Sequence, residues 1–126
     1  MKEITAIIRM NRVNETKDAL AGIGICGLHA VKVKGRGKMS VDLKVLEEAG
    51  VGEELGSLLL DTLSHGGRLI PKRMLTILAH DYQVSDIVNA LLKVNRHGNR
   101  GDGKIFVSPV TDAYRIRTGE TGDSAI

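Results

Sequence analysis

The spacing of hydrophobic residues changes period several times along this chain, and each change marks an element. Lys2 to Arg9, KEITAIIR, is rich in β-branched residues and predicts a first strand. Asn11 is placed to cap a helix in which Val13, Thr16, Ala19, Leu20 and Ile23 recur at helical spacing, with Gly22 and Gly24 ending it. Leu28, Ala30, Val31 and Val33 alternate partly with polar residues and predict a second strand running to about Gly35. A third strand is read in RLIPKRMLTILAH, with Pro71 near its start, where proline is tolerated. Asp81 is placed to cap a second helix whose stripe is Val84, Ile87, Val88, Leu91, Leu92 and Asn95. The turn GNRGDG leads into a fourth strand, KIFVSPV, and AYRIRTG reads as a short extended segment.

The order strand, helix, strand, strand, helix, strand is that of the split βαβ, ferredoxin-like α+β fold. It predicts an antiparallel sheet with both helices on one face. Self-assembly is the simplest way to cover the other face. From about Gly37 to Gly67 the pattern breaks, although Leu55, Leu58, Leu59 and Leu63 share one helical face. So long a connection inside a compact domain is usually functional or mobile. The tail, from about residue 119 to 126, is polar and is expected to be loose.

Composition narrows the function. The chain has 126 residues, enough for one domain with one core. No apolar run is long enough to cross a bilayer, and the N-terminus makes a poor signal peptide, so a cytoplasmic location without membrane insertion is expected. The single cysteine, Cys26, forms no internal disulfide, and no HExxH pattern gathers the histidines. The net charge of +3 is mild, and aromatic content of 2% leaves almost no platform for stacking bases. Nucleic acid is therefore not an expected partner.

The remaining bases form four groups. Gly101, Asp102 and Gly103 can offer a nest of backbone N–H groups beside Lys104, a concavity suited to phosphate or carboxylate. Taken alone, they suit a plain tight loop into a strand better still. Arg115 and Arg117, if extended, project to one face and can grip a polyphosphate, or simply form a solvated edge. Lys32, Lys34, Arg36 and Lys38 alternate, with Gly35 and Gly37 interleaved, giving either an anion contact or an edge protected from aggregation. Lys72 stands at the far root of the long loop, placed for a small dicarboxylate or for solvent. No P-loop pattern, no GxGxxG opening a helix and no nucleophile–base pair is present, so binding without chemistry is favoured over an enzyme.

GDGKIFV (Gly101 to Val107) followed by RIRTGE (Arg115 to Glu120) resembles the signature of the PII nitrogen-regulatory signal-transduction proteins. MKEITAIIR, TKDAL, VKGRGK and the final AI agree in place and spacing, so the resemblance covers the chain except about Ser40 to Arg68. It implies a compact trimer of ferredoxin-like protomers, with the long connection, about 37–69, as the T-loop. It implies ATP or ADP in clefts between subunits, and 2-oxoglutarate bound with Mg-ATP at the loop's root, the magnesium being held through those two ligands. Carried over, Gly101, Asp102, Gly103 and Lys104 match the phosphate turn, and Arg115 and Arg117 the paired phosphate arginines. Gly35, Gly37 and Lys38 match nucleotide contacts, and His29 stands where a threonine is common near the nucleotide. Lys72 matches the lysine that pairs with 2-oxoglutarate; Arg9 and Gly101 lie at that site. Met39 replaces a glutamine that helps hold magnesium and 2-oxoglutarate, and a thioether is a poor ligand for a hard cation. Val41 replaces a common glycine.

The T-loop lacks the tyrosine that enterobacterial members uridylylate. Its leucine stripe suits a partner groove. IPKRML, KVN and GDGKIFVSPV look most like the branch encoded beside nitrogenase, whose members inhibit dinitrogenase, often as hetero-oligomers of two PII-like chains. The resemblance thus implies a regulator of nitrogen fixation. The alternatives are control of an ammonium transporter or a nitrogen-assimilation enzyme, and, more remotely, a weak ATPase.

Overall fold

A computed structural model describes residues 1–37, 52 and 69–126. The chain divides into two compact units, residues 1–33 with 71–126, and residues 34–70. The elements are β1 (Lys2–Arg9), α1 (Val13–Gly22), β2 (His29–Gly35), β3 (Ile70–Ala79), α2 (Val84–Asn95) and β4 (Lys104–Pro109), with 3-10 turns at Met10–Arg12, Asp81–Gln83 and Gly122–Ala125. The sheet order is β2-β3-β1-β4, and β1 pairs antiparallel with both β3 and β4. This is the ferredoxin-like βαββαβ arrangement expected from the element order.

Strict alternation along β1 explains the layering. Ile4, Ala6 and Ile8 are buried, as are Leu75, Ile77 and Ala79 on β3. They share one face with Leu20 of α1 and with Ile87 and Leu91 of α2, and among the described residues these nine form the core. Full burial of each large aliphatic side chain stabilises by about 2 kcal/mol. The opposite phase carries Thr5, Ile7 and Arg9 on β1, with Phe106 opposite Thr5 and Leu78 opposite Glu3. Phe106 and Leu78 are exposed.

One polar link joins the helices inside the core. Asn95 Nδ2 donates to Thr16 Oγ1 at 3.0 Å and to the Leu91 carbonyl at 2.9 Å. Thr16 Oγ1 donates in turn to the Arg12 carbonyl at 2.7 Å. Asn95, the polar end of the expected stripe, thus fixes α2 against α1.

Three local expectations are corrected. Asn11 does not cap α1: it lies in the 3-10 turn Met10–Arg12, and α1 begins at Val13 without a side-chain cap. Asp81 does not cap α2 either. It opens the 3-10 turn Asp81–Gln83, and its carboxylate pairs with the Met1 amino group at 3.1 Å. Instead, Gln83 Oε1 accepts the His80 N–H at 3.0 Å while the Gln83 N–H donates to the His80 carbonyl at 2.9 Å. The tail, expected to be loose, folds back: the Gly122 N–H donates to the Ala113 carbonyl at 2.9 Å, and Asp123 approaches the Met1 amino group at 3.9 Å. The α1 terminus follows expectation. Gly24, at φ 84°, donates to the Ala21 carbonyl, and the Ile25 N–H reaches back to the Leu20 carbonyl at 2.9 Å.

Candidate functional site

The sheet register places two cations side by side. Arg9, the last residue of β1, lies opposite Lys72 on β3. On the other flank of β1, Ile7 lies opposite Lys104, the first residue of β4. The turn from His97 to Gly103 must therefore close over the end of β1, and its glycines allow it. Gly101 and Gly103 have φ of 90° and 118°, the left-handed region that side chains rarely adopt. A Cβ on Gly103 would lie only 1.9 Å from the Ile7 carbonyl oxygen, so only glycine lets the turn approach so near.

Asp102 organises the turn from within. Its Oδ2 accepts the His97 N–H at 2.8 Å and the Asn99 N–H at 3.1 Å. Its Oδ1 is buried without a hydrogen bond and meets Arg9 Nη2 as an ion pair at 3.4 Å. The His97 N–H, foremost, holds the Asp102 carboxyl below its ordinary pKa, with Asn99, Arg9 and Gly98 adding to it against the cost of burial.

Both strand-end cations reach the same turn. Lys72 Nζ donates to the Gly101 carbonyl at 2.6 Å, and Arg9 Nε donates to it at 3.2 Å. Arg9 Nη2 donates to the Arg100 carbonyl at 2.9 Å. Burial, and next the Arg9 charge, lower the Lys72 pKa, with Asp102 opposing. A lysine so placed gains from an incoming anion. Lys104 is exposed just beyond the turn. Arg9, Lys72, Gly101, Asp102, Gly103 and Lys104 thus come together at one end of the sheet. Beneath them, on the helix side, runs a groove of about 390 Å³ lined mainly by Ile8, Val88, Leu91, Leu92, Ile105 and Val107.

The remaining candidates are taken one by one. AYRIRTG is not extended. Tyr114 and Thr121 form an antiparallel bridge, the Arg115 N–H donates to the Glu120 carbonyl at 2.8 Å, and the Gly119 N–H donates to the Arg115 carbonyl at 2.7 Å. Arg115 therefore opens a tight hairpin and Arg117 lies in its turn, and the same-face argument for two residues of a strand does not apply to them. Arg115 Nη1 meets Glu120 at 3.5 Å, and Arg117 is exposed. His29 opens β2, on the edge of the sheet opposite β4. Gly35 ends β2 and Gly37 follows it. Lys38, Met39 and the stripe Leu55, Leu58, Leu59 and Leu63 lie outside the described residues. Among the described residues no group of acidic, histidine or cysteine side chains is gathered for a metal ion, and no helix is long and apolar enough to cross a membrane.

Sequence reasoning missed the internal work of Arg9 and Asp102. Each was assigned to a ligand, yet each holds the turn. No local signal links Arg9 to a carbonyl 91 residues later in the chain; only the β1–β3 register sets that contact.

The described residues form a ferredoxin-like domain with a glycine turn and two cations, Arg9 and Lys72, at one end of its sheet. The family profile for Nitrogen regulatory protein P-II matches residues 1–120, and the chain belongs to that family. It is 41% identical to the "Nitrogen fixation nifHD region GlnB-like protein 2" of Methanobacterium ivanovii, covering all of this chain and 99% of the relative. It is 43% identical to the protein of the same designation from Methanococcus maripaludis, with both chains covered in full. It is 36% identical to the "Nitrogen regulatory protein P-II" of Cereibacter sphaeroides, again over both full lengths.

Proposed function

We propose that this protein senses adenine nucleotide and 2-oxoglutarate and regulates nitrogen fixation by controlling nitrogenase through its T-loop. The convergence of Arg9 and Lys72 on the Gly101–Lys104 turn carries this reading. Two cations at neighbouring register positions suit a small dicarboxylate. The close-lying glycines leave room, and Lys104 charge, for phosphate oxygens. The donor set thus fits ATP or ADP and the keto acid. Magnesium, a hard cation that takes oxygen ligands, is assigned to phosphate and keto-acid oxygens.

The nifHD-region designation of the relatives supports a role in nitrogen fixation, and their family supports a regulator rather than an enzyme. A trimer, or a hetero-oligomer with a second PII-like chain, covers the exposed Phe106 and Leu78 face. Such an assembly can also set the β2 edge of one copy, with His29, beside the β4 edge of the next. That places the nucleotide in a cleft between subunits. Leu55, Leu58, Leu59 and Leu63 are assigned to the partner surface, and the protein to the cytoplasm.

Calorimetry with Mg-ATP and then 2-oxoglutarate tests the ligands. Both are expected to bind, and Lys104→Ala is expected to weaken ATP about tenfold, the loss of one charge-assisted contact. No heat with any adenine nucleotide would remove the reading. A pull-down from nitrogen-fixing cells tests the target: dinitrogenase is expected among the captured proteins, and capture of an ammonium transporter in its place would redirect the assignment.

A further inference from the structure

The groove on the helix side of the sheet takes no part in holding phosphate or keto acid, and one of the residues that line it is short of a donor. At about 390 Å³ it has the size of a small-molecule site. α2 ends where the turn towards β4 begins, so Asn95, Arg96 and Asp102 line one end of the groove, and Val88 and Val107 lie furthest from that end. Asn95 is only 8% exposed. The Leu91 carbonyl can only accept, which fixes which branch of the Asn95 amide is Nδ2, and Nδ2 also turns to Thr16 on α1. The other branch of the planar amide therefore points away from α1, to the side on which Asn95 meets the groove. Its Oδ1 is buried and, among the described residues, accepts no hydrogen bond. An acceptor left in that state is costly, and a donor seated in the groove removes the cost.

We propose that this groove binds a free aliphatic α-amino acid, with its ammonium on Asn95 Oδ1, its carboxylate at Arg96 and its side chain along Leu91, Leu92, Ile105 and Val107. Each part of the site decides one part of the ligand. Asn95 Oδ1 is an acceptor, so the group that meets it donates. Asn95 ends α2, where the helix dipole favours positive charge, and the Asp102 carboxylate lines the same end of the groove. An ammonium group suits both. A plain amine does not suit the rest, because Arg96 and Lys104 also line this end and Arg9 is already paired with Asp102. Cations outnumber the one acid, so the ligand carries a negative group as well. Arg96 is exposed and offers its planar fork to a carboxylate. An α-amino acid sets its two charges one carbon apart, which matches the neighbouring positions of Asn95 and Arg96. Beyond them the lining side chains are aliphatic, so the rest of the ligand is aliphatic too. Leu92 and Arg96, both exposed, can turn aside to admit it.

The experiment titrates the full chain with L-leucine, followed by calorimetry and by amide resonances. L-Leucine is expected to bind with a Kd below about 1 mM. The amides of Leu92, Asn95 and Ile105 are expected to shift while those of the Arg115–Glu120 hairpin stay fixed. 4-Methylpentanoate lacks the ammonium and 3-methylbutylamine lacks the carboxylate. Each is expected to bind at least about tenfold more weakly than L-leucine, the loss of one charge-assisted bond. L-Glutamine, which brings a polar side chain to aliphatic walls, is expected to be weaker by a similar factor. Arg96→Ala, a change at an exposed position, is expected to weaken L-leucine about tenfold and to leave the urea midpoint unchanged. The ligand series needs no variant and decides the matter even where R96A folds poorly. Failure of L-leucine, L-isoleucine and L-valine all to bind overturns the proposal. So does 4-methylpentanoate binding as tightly as L-leucine, and so does an R96A affinity within twofold of wild type. Shifts confined to Gly101 and Lys72 would mean adventitious occupation of the anion turn, and would overturn it as well. ATP and 2-oxoglutarate binding stand or fall separately, in their own titrations.

Discussion

Two turns of this protein carry the same ingredients and are built on different terms. The turn from His97 to Lys104 and the hairpin from Arg115 to Glu120 each combine glycine at positive φ, arginine and one acid. In the first, the acid is enclosed: Asp102 takes two backbone amides on one oxygen and faces Arg9 with the other. Distant strands supply the rest, through Arg9, Lys72 and the Ile7 carbonyl. In the second, the contacts are local. Arg115 meets Glu120 five residues on, and the glycine at φ 72° has open space around it. Similar composition thus gives a locked turn where strands converge and a self-contained hairpin where they do not.

The glycines offer the sharpest way to break the comparison. Gly103→Ala must displace either the turn or the Ile7 carbonyl, and is expected to cost about 3 kcal/mol or more in urea denaturation. Gly119→Ala meets no neighbour and is expected to cost only the left-handed backbone penalty, about 1 kcal/mol. Equal losses would show that steric approach does not distinguish the two turns.

Asn95 tests whether the locked turn depends on the helix beneath it. Asn95→Ala removes the donor to Thr16 Oγ1, which keeps its bond to the Arg12 carbonyl, and is expected to cost about 2 kcal/mol in the same measurement. Amide shifts in the Arg115–Glu120 hairpin are expected to stay unchanged. Their movement would mean that the hairpin is coupled to the core after all.

Acidity tests the enclosed acid. Asp102 has a depressed folded pKa, so its contribution to stability is fully present above the ordinary carboxylate range and is lost as pH falls through that range and then through the lower folded value. His97 and Asn99 amide exchange is expected to accelerate over that interval, and Asp102→Asn is expected to remove the dependence. Lys72 runs the other way. Its pKa is lowered, so burying its charge costs stability below the folded pKa, and that cost is relieved as pH rises through the folded value towards the ordinary one. Keto-acid affinity is expected to fall over the same alkaline interval, as the ammonium is lost, and Lys72→Arg to extend binding to higher pH. The smallest effect is that of Glu120→Gln, which removes an exposed pair at 3.5 Å. Stability is expected to change by less than about 0.5 kcal/mol.

How much of this was legible in the chain depended on the range of each signal. β1 was read to the residue because β-branched alternation is a local pattern, and the α2 stripe down to Asn95 because helical spacing is too. The caps were misread because Asn11 and Asp81 have the right chemistry one turn too early. Short 3-10 turns intervene, and the Asp81 carboxylate is drawn to the chain's own N-terminus, a partner that no window around residue 81 contains. The extended reading of AYRIRTG failed for a related reason. RIR suits a strand, but Gly119 folds the segment into a hairpin that begins at Arg115 itself.

The sequence by itself determined the order of elements, the buried faces, the family signature and the glycines at 101 and 103, because each of these is written in neighbouring residues or in a fixed short spacing. Only the tertiary structure decided why Gly103 must be glycine and what Arg9 and Lys72 hold. Those facts rest on sheet register. The pairing of Arg9 with Lys72, and of Ile7 with Lys104, brings together residues far apart in the chain, and that proximity exists only once the strands have paired.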